Sequence, residues 1–187
     1  MNPEKELIEL EKKKNKLEQK DIDLIISDFD DTIFSTKKLI DRDYRKWRRW
    51  AEWNTFIVEN NLIDKIIDEI YKGVKYPKDI SSKLRKNHDL ILTVWIDEFQ
   101  IKKIKATWLD YINNVIVDTA EKKIIETIKY VVNNLKFIPN KITIFEDRPK
   151  YFLENKDFIE KFLWTKLEIM FVEMTSNNKE PKIKKID

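Results

Sequence analysis

The chain has 187 residues, 42% of them hydrophobic and 38% charged, which allows a buried core and excludes a wholly disordered protein. It contains no cysteine, so disulfides and thiolate metal centres are excluded, and any metal must be held by oxygen ligands or by the single histidine, His88. No apolar run approaches the ~18–20 residues of a membrane span. The net charge of +3 decides little, and the one glycine, Gly73, leaves no glycine-rich loop of the P-loop or dinucleotide-binding kind.

Residues 1–20 (MNPEKELIELEKKKNKLEQK) read as a charged helix or arm docked through Leu7, Leu10 and Leu17. The segment is too charged for a secretory signal, and the expected location is the cytoplasm. Leu24, Ile25 and Ile26 then form an apolar run that stops at acidic residues. Such a run fits a strand buried on both faces, as in a parallel sheet.

About sixty residues separate this strand from the next apolar run, far more than a crossover helix needs. Tyr44–Asn60 and Leu62–Tyr71 read as helices, with a turn near Gly73–Pro77 and a short helix near Asp79–Lys86. Residues 35–76 are therefore expected to form a small helical insertion. Within it, Lys37 to Arg49 holds seven Lys or Arg against Asp41 and Asp43. That segment is either a solvated helix face or a patch beside an anionic substrate. Trp47, Trp50 and Trp53 recur every third residue, a stripe that suits core packing or the stacking of bases.

Four further strands are expected at Leu90–Trp95, Asn114–Asp118, Lys141–Asp147 and Leu167–Met174. Helices are expected between them. Phe99 to Leu109 has a ragged apolar face, Ile124 to Leu135 a clean one, and Tyr151–Phe162 continues the alternation. Alternating strands and helices predict an α/β fold, a mainly parallel five-stranded sheet with helices on both faces. The catalytic domain is expected to span 21–175, and the tail 176–187 to be polar and loose.

Active sites of such sheets lie at the carboxyl ends of the strands. Asp28 and Asp30 follow the first strand, with Thr32 two residues on. Thr93 closes the second strand, Lys122 and Lys123 follow the third, and Glu146 and Asp147 close the fourth. Any one acid there could merely cap a helix, as Asp118 or Thr119 does in the simplest reading. Together, three or four carboxylates would repel one another unless a hard cation such as Mg²⁺ joined them. His88 stands before the second strand, at the wrong end for catalysis.

These segments resemble the sequence motifs of the haloacid dehalogenase superfamily. LIISDFDDTIF is similar to the first motif, with Asp28, Asp30 and Thr32 as its marked residues. LILTVW resembles the second motif through Thr93, Lys123 or Lys122 the third, and ITIFEDRP the fourth through Glu146 and Asp147. The likeness spans about residues 22–174. The chain has Asp31 where many members carry glycine, and Glu146 where one of two paired aspartates usually stands.

The resemblance implies a three-layer Rossmann-like fold with the insertion as a small cap. It also implies a Mg²⁺-dependent phosphohydrolase acting on a phosphomonoester, a small metabolite or nucleotide. Asp28 would form an aspartyl-phosphate and Asp30 would serve as acid and base. Thr32, Thr93 and the motif lysine would bind the phosphate, and Arg148 would either grip it too or pair with Glu146 or Asp31. Asp28, Glu146 and Asp147 would hold the metal through their carboxylates and Asp30 through its backbone carbonyl. The second aspartate favours a phosphatase, and the length excludes a transport ATPase. Glu146-Asp147-Arg148 is faintly similar to polynucleotide phosphatase domains, so a nucleic-acid end-processing phosphatase is the first alternative. A catalytically weak binding module of the same fold is the second, with no membrane partner in either case.

Overall fold

The computed structural model of the protein describes residues 3–36, 50–72, 78–174 and 181–186. Helix α1 (Pro3–Lys14) precedes strand β1 (Gln19–Ser27). The insertion contributes α2 (Trp50–Glu59) and α3 (Ile63–Ile66), which widens into a π turn over Ile67–Tyr71, and α4 (Lys78–Ser81) follows. Next come β2 (Leu90–Val94), α5 (Asp97–Ala106), β3 (Asn113–Val117) and α6 (Lys122–Lys129), which widens over Tyr130–Leu135. The chain continues through β4 (Ile138–Glu146), α7 (Lys150–Glu154), α8 (Lys156–Leu163), β5 (Lys166–Glu173) and β6 (Lys182–Ile186).

The strands form one sheet in the order β3-β2-β1-β4-β5-β6. All neighbours are parallel except β5 and β6. The fold is thus the expected α/β type, with two corrections. The sheet has six strands rather than five, and the tail is not loose where it is described: Lys182–Ile186 pairs antiparallel with β5, from Glu173↔Lys182 to Ile169↔Ile186. Ile183 packs on one face of the sheet and Ile186 on the other, so this strand shows no simple alternation in the sequence. Its lysines line the sheet edge, where charge discourages pairing with another chain.

Burial follows the period of two expected of strands covered on both sides. Leu24 and Ile26 of β1, Leu90 and Leu92 of β2, and Ile142 and Ile144 of β4 face one apolar layer. That layer is completed by Leu10 of α1, Ile124 and Ile128 of α6, and Ile159 and Leu163 of α8. Ile25, Ile91 and Phe145 face the other layer, with Phe99 and Ile104 of α5 and Trp53, Ile57 and Tyr71 of the insertion. Helix α1 packs on this layer through Leu10, and Leu17, in the turn that follows it, packs beside it.

The Trp stripe divides. Trp53 is fully buried and stacks on Trp95 at 4.4 Å between ring centroids, so it is a core residue. Trp50 opens α2, while Trp47 and the basic segment 37–49 lie outside the described residues. His88 precedes β2, and its carbonyl accepts a hydrogen bond from Tyr130 at 3.0 Å. Among the described residues no helix is long and apolar enough to cross a membrane.

A carboxylate cluster as candidate active site

The strand order reverses direction at the junction of β1 and β4, since β2 and β3 extend one way and β5 and β6 the other. In open α/β sheets the crevice beyond such a junction is where ligands bind. The parallel register Ser27↔Phe145 brings the two carboxyl ends level. The Asp28 amide donates to the Phe145 carbonyl at 2.9 Å. Asp28 thereby sits beside Glu146 and Asp147, and one carboxylate oxygen from each of the three lies within 4.8 Å of the others.

The chain turns sharply after Asp28. The amides of Ile33 and Phe34 both donate to the Phe29 carbonyl at 3.0 Å. Asp31 adopts a left-handed φ of 56°, and its carboxylate accepts hydrogen bonds from the Thr36 amide at 2.7 Å and from the Thr36 hydroxyl. This explains why glycine is common at the position in the proteins it resembles, and why Asp is a workable substitute: Asp tolerates the left-handed region when its side chain bonds locally.

Lys123, at the start of α6, reaches into the cluster. Its Nζ lies 2.6 Å from Glu146 Oε2 and 3.0 Å from Asp28 Oδ1. The same ammonium thus bridges both carboxylates. Burial, and then the charge of Glu146, push the Asp28 carboxyl up to about 7. Burial and the neighbouring Asp28 likewise push Asp147 up to about 6. Burial also raises Glu146, against the pull of Lys123. Burial alone would lower the Lys123 ammonium, but Asp28 and Glu146 hold it above its ordinary value. Asp28 and Glu146 thus share one buried ammonium, and the partly exposed Asp147 has Arg148 at 3.4 Å, so negative charge is in excess on the floor of the site. With an all-oxygen donor set and one oxygen from each of three carboxylates within 4.8 Å of the others, the cluster fits a hard divalent cation.

The cluster opens into a cavity of about 710 Å³. Thr93, at the end of β2, lines it, and its buried hydroxyl has no hydrogen-bond partner. Val94, Trp95 and Ile96 form one apolar wall and Tyr151 and Phe152 another. Arg148 stands at the rim, its side chain 68% exposed and its Nε 3.4 Å from Asp147.

The structure separates the other candidates. Of the two lysines, Lys123 enters the site, whereas Lys122 is exposed and pairs with Asp118 at 2.8 Å. Thr32 is fully buried without a hydrogen-bond partner and is not among the cavity residues, so the expected contact with phosphate is not available to it. Asp30 lines the cavity, but its carboxylate is not one of the three convergent acids. It is held instead by α5: Lys103 Nζ lies 2.6 Å from both of its oxygens, and Gln100 Nε2 donates to Oδ2 at 2.9 Å.

Lys103 and Gln100 were not legible as site residues. The ragged face of α5 was the available signal. Phe99, Gln100, Lys103, Ile104 and Thr107 recur at helical spacing and all five are buried. A lysine and a glutamine amid such a face are either errors of pattern or partners of something buried.

No family model matches the sequence, and no curated protein matches it. Among solved structures, the chain is similar to a crystal structure from Burkholderia xenovorans described as a haloacid dehalogenase-like hydrolase. The identity is 10%, the match covers 83% of this chain and 84% of that one, and the TM-score is 0.51. At that identity the likeness is one of fold, a Rossmann-like α/β architecture shared with that structure.

Proposed function

We propose that the chain is a Mg²⁺-dependent phosphohydrolase that uses Asp28 as nucleophile on a phosphomonoester. The observation that carries this reading is the convergence of Asp28, Glu146, Asp147 and Lys123 at the β1–β4 junction, at the floor of a cavity into which Thr93 presents an unpartnered hydroxyl.

In this reading Asp28 and Asp147 hold the metal, with Glu146 beside them and tied to Lys123. When bound, Mg²⁺ supplies positive charge that offsets repulsion between the anionic nucleophile and the phosphate. The Asp28 carboxylate attacks phosphorus, and the P–O bond to the leaving group breaks as the aspartyl-phosphate forms. Asp30 in its carboxylic acid form gives its proton to the leaving oxygen and becomes the carboxylate. It then takes one from the water whose oxygen bonds to phosphorus as the Asp28 ester opens, so it ends as it began. Lys123 and the Thr93 hydroxyl face the phosphoryl oxygens, with Lys123 neutralising charge. Arg148 at the rim suits a second anionic group or an incoming phosphate.

A 710 Å³ cavity with apolar walls has room for more than a bare phosphate, which supports a nucleotide or a small metabolite of similar size. The alternative is an end-processing reaction on nucleic acid, for which the basic segment 37–49 lies outside the described residues. Among the described residues Arg148 is the one cation at the rim beyond the Lys123 floor. A binding module without catalysis has no use for three mutually repelling acids, two of them buried.

The test is a panel of phosphomonoesters with Mg²⁺, including nucleotides and 3′- and 5′-phosphorylated oligonucleotides, run against Asp28→Asn. Turnover by wild type alone is the expected result. Equal background from both proteins on every substrate would sink the reading, and turnover of oligonucleotides alone would move it to the end-processing alternative.

A further inference from the structure

The side chain of Lys103 is fully buried in the middle of α5. Four aromatic rings surround its ammonium: Phe29 at 5.1 Å, Tyr71 at 5.4 Å, Trp95 at 5.1 Å and Phe99 at 4.9 Å from the ring centroids. They come from the turn after β1, the insertion, the end of β2 and α5 itself. Desolvation lowers the Lys103 pKa while Asp30 opposes the fall, and the ring faces, which attract a cation, also oppose it. Lysine is almost never fully buried unless paired, and here the partner is Asp30 alone among the described ion pairs.

Gln100 sits one turn earlier on the same helix face. Its amide nitrogen donates to both Asp30 Oδ2 and the Val94 carbonyl at 2.9 Å. That leaves the amide oxygen buried with no hydrogen-bond donor among the described residues, a cost to folding. An apolar residue of similar volume at either position would be easier to bury. Neither Lys103 nor Gln100 lines the cavity, whereas Asp30 does.

We propose that Lys103, seconded by Gln100, is a positioning residue that holds the Asp30 carboxylate at the cavity for acid–base transfer, with the insertion completing its seat through Tyr71. This rests on the phosphohydrolase reading above. Lys103 keeps its own protons throughout and touches no substrate. Its action is geometric: Asp30 lies on a short turn, and a proton donor that wanders by an ångström loses much of its effect.

The experiment uses the full chain with Mg²⁺ and compares Lys103→Met, Asp30→Asn and the double variant. Each is assayed on an alkyl phosphomonoester and on p-nitrophenyl phosphate, whose leaving group needs no proton. Lys103→Met is expected to lower kcat/KM, which reports the step that expels the leaving group and not the later hydrolysis common to both substrates, by about 10²-fold on the alkyl ester and much less on p-nitrophenyl phosphate. In the Asp30→Asn background Lys103→Met should add no further loss on either substrate.

Equal losses on both substrates, or losses that add in the double variant, would show Lys103 to be a core residue only and overturn the proposal. If Lys103→Met does not fold, Gln100→Met takes its place, with a smaller loss on the alkyl ester and the same bias between substrates. An active wild type matched by an equally active Lys103→Met removes the clamp and spares the phosphohydrolase reading. A wild type that turns over no phosphomonoester removes both.

Discussion

Lys123 and Glu146 are joined by a 2.6 Å ion pair on the floor of the site, where the same ammonium also stands 3.0 Å from Asp28. One cation therefore holds together two buried acids from different strands. Replacing it with methionine leaves both without a counter-charge. Lys123→Met should destabilise the protein by about 3–5 kcal/mol near pH 8, the range for breaking one side of a buried pair. The loss should shrink at pH 5, where the acids can take up protons instead. Urea unfolding at the two pH values measures this, and equal losses at both would contradict it.

Asp28→Asn removes the nucleophile and one of the repelling charges together. Turnover should fall by more than about 10³-fold, as when the nucleophile of a covalent mechanism is lost. The same change should stabilise the metal-free protein at pH 8 by on the order of 2 kcal/mol, because a carboxyl raised to about 7 is costly to keep ionised. Thermal unfolding beside the turnover assay tests both signs. A variant that is inactive and also less stable would mean the site is not strained by its charge.

The raised carboxyls fix the direction of a pH effect. Asp28 at about 7 and Asp147 at about 6 exceed the ordinary carboxylate value near 3.8. Between about pH 4 and 7 the native protein therefore holds protons that the unfolded chain has released. Stability contributed by these groups is complete below about pH 4 and is lost as pH rises through 6 and 7. A bound divalent cation replaces those protons, so Mg²⁺ should raise the unfolding temperature more at pH 8 than at pH 5. Unfolding curves with Mg²⁺ or with a chelator at each pH decide it. A stabilisation by Mg²⁺ that is larger at pH 5 would exclude binding at these carboxylates.

Arg148 offers a contrast, since its side chain is mostly exposed and its contact with Asp147 is loose. Arg148→Ala should change stability by no more than about 0.5 kcal/mol. It should raise KM by roughly tenfold, as the loss of a charge-assisted contact to an anion does. Steady-state kinetics on the preferred phosphomonoester would show it, and an unchanged KM would remove Arg148 from the substrate's path.

The sequence carried the β1 and β4 acids well because each closes an apolar run, and a strand end is a fixed place in this kind of sheet. The choice between Lys122 and Lys123 needed the helix phase at its first turn, which two adjacent lysines do not reveal. Thr32 fits the motif pattern yet faces the interior, since a turn as tight as Phe29 to Phe34 reverses side-chain direction within a residue or two. Strand β6 was hidden because lysines occupy most of it and its two isoleucines point to opposite faces. Lys103 was hidden for the opposite reason: a lysine on a helix reads as surface until its aromatic neighbours, drawn from four parts of the chain, are seen around it.

Trp95 lines the cavity with a φ of 146°, a backbone setting that a bulky residue adopts only under constraint, and Trp53 of the insertion lies against it at 4.4 Å. Indoles that close exchange excitation, so the pair should give a coupled signal in near-ultraviolet circular dichroism. That signal would vanish if the insertion lifted away and would alter if a ligand pressed on the wall. The protein thus carries its own optical gauge of whether its insertion is seated, readable without a label and before any substrate is known.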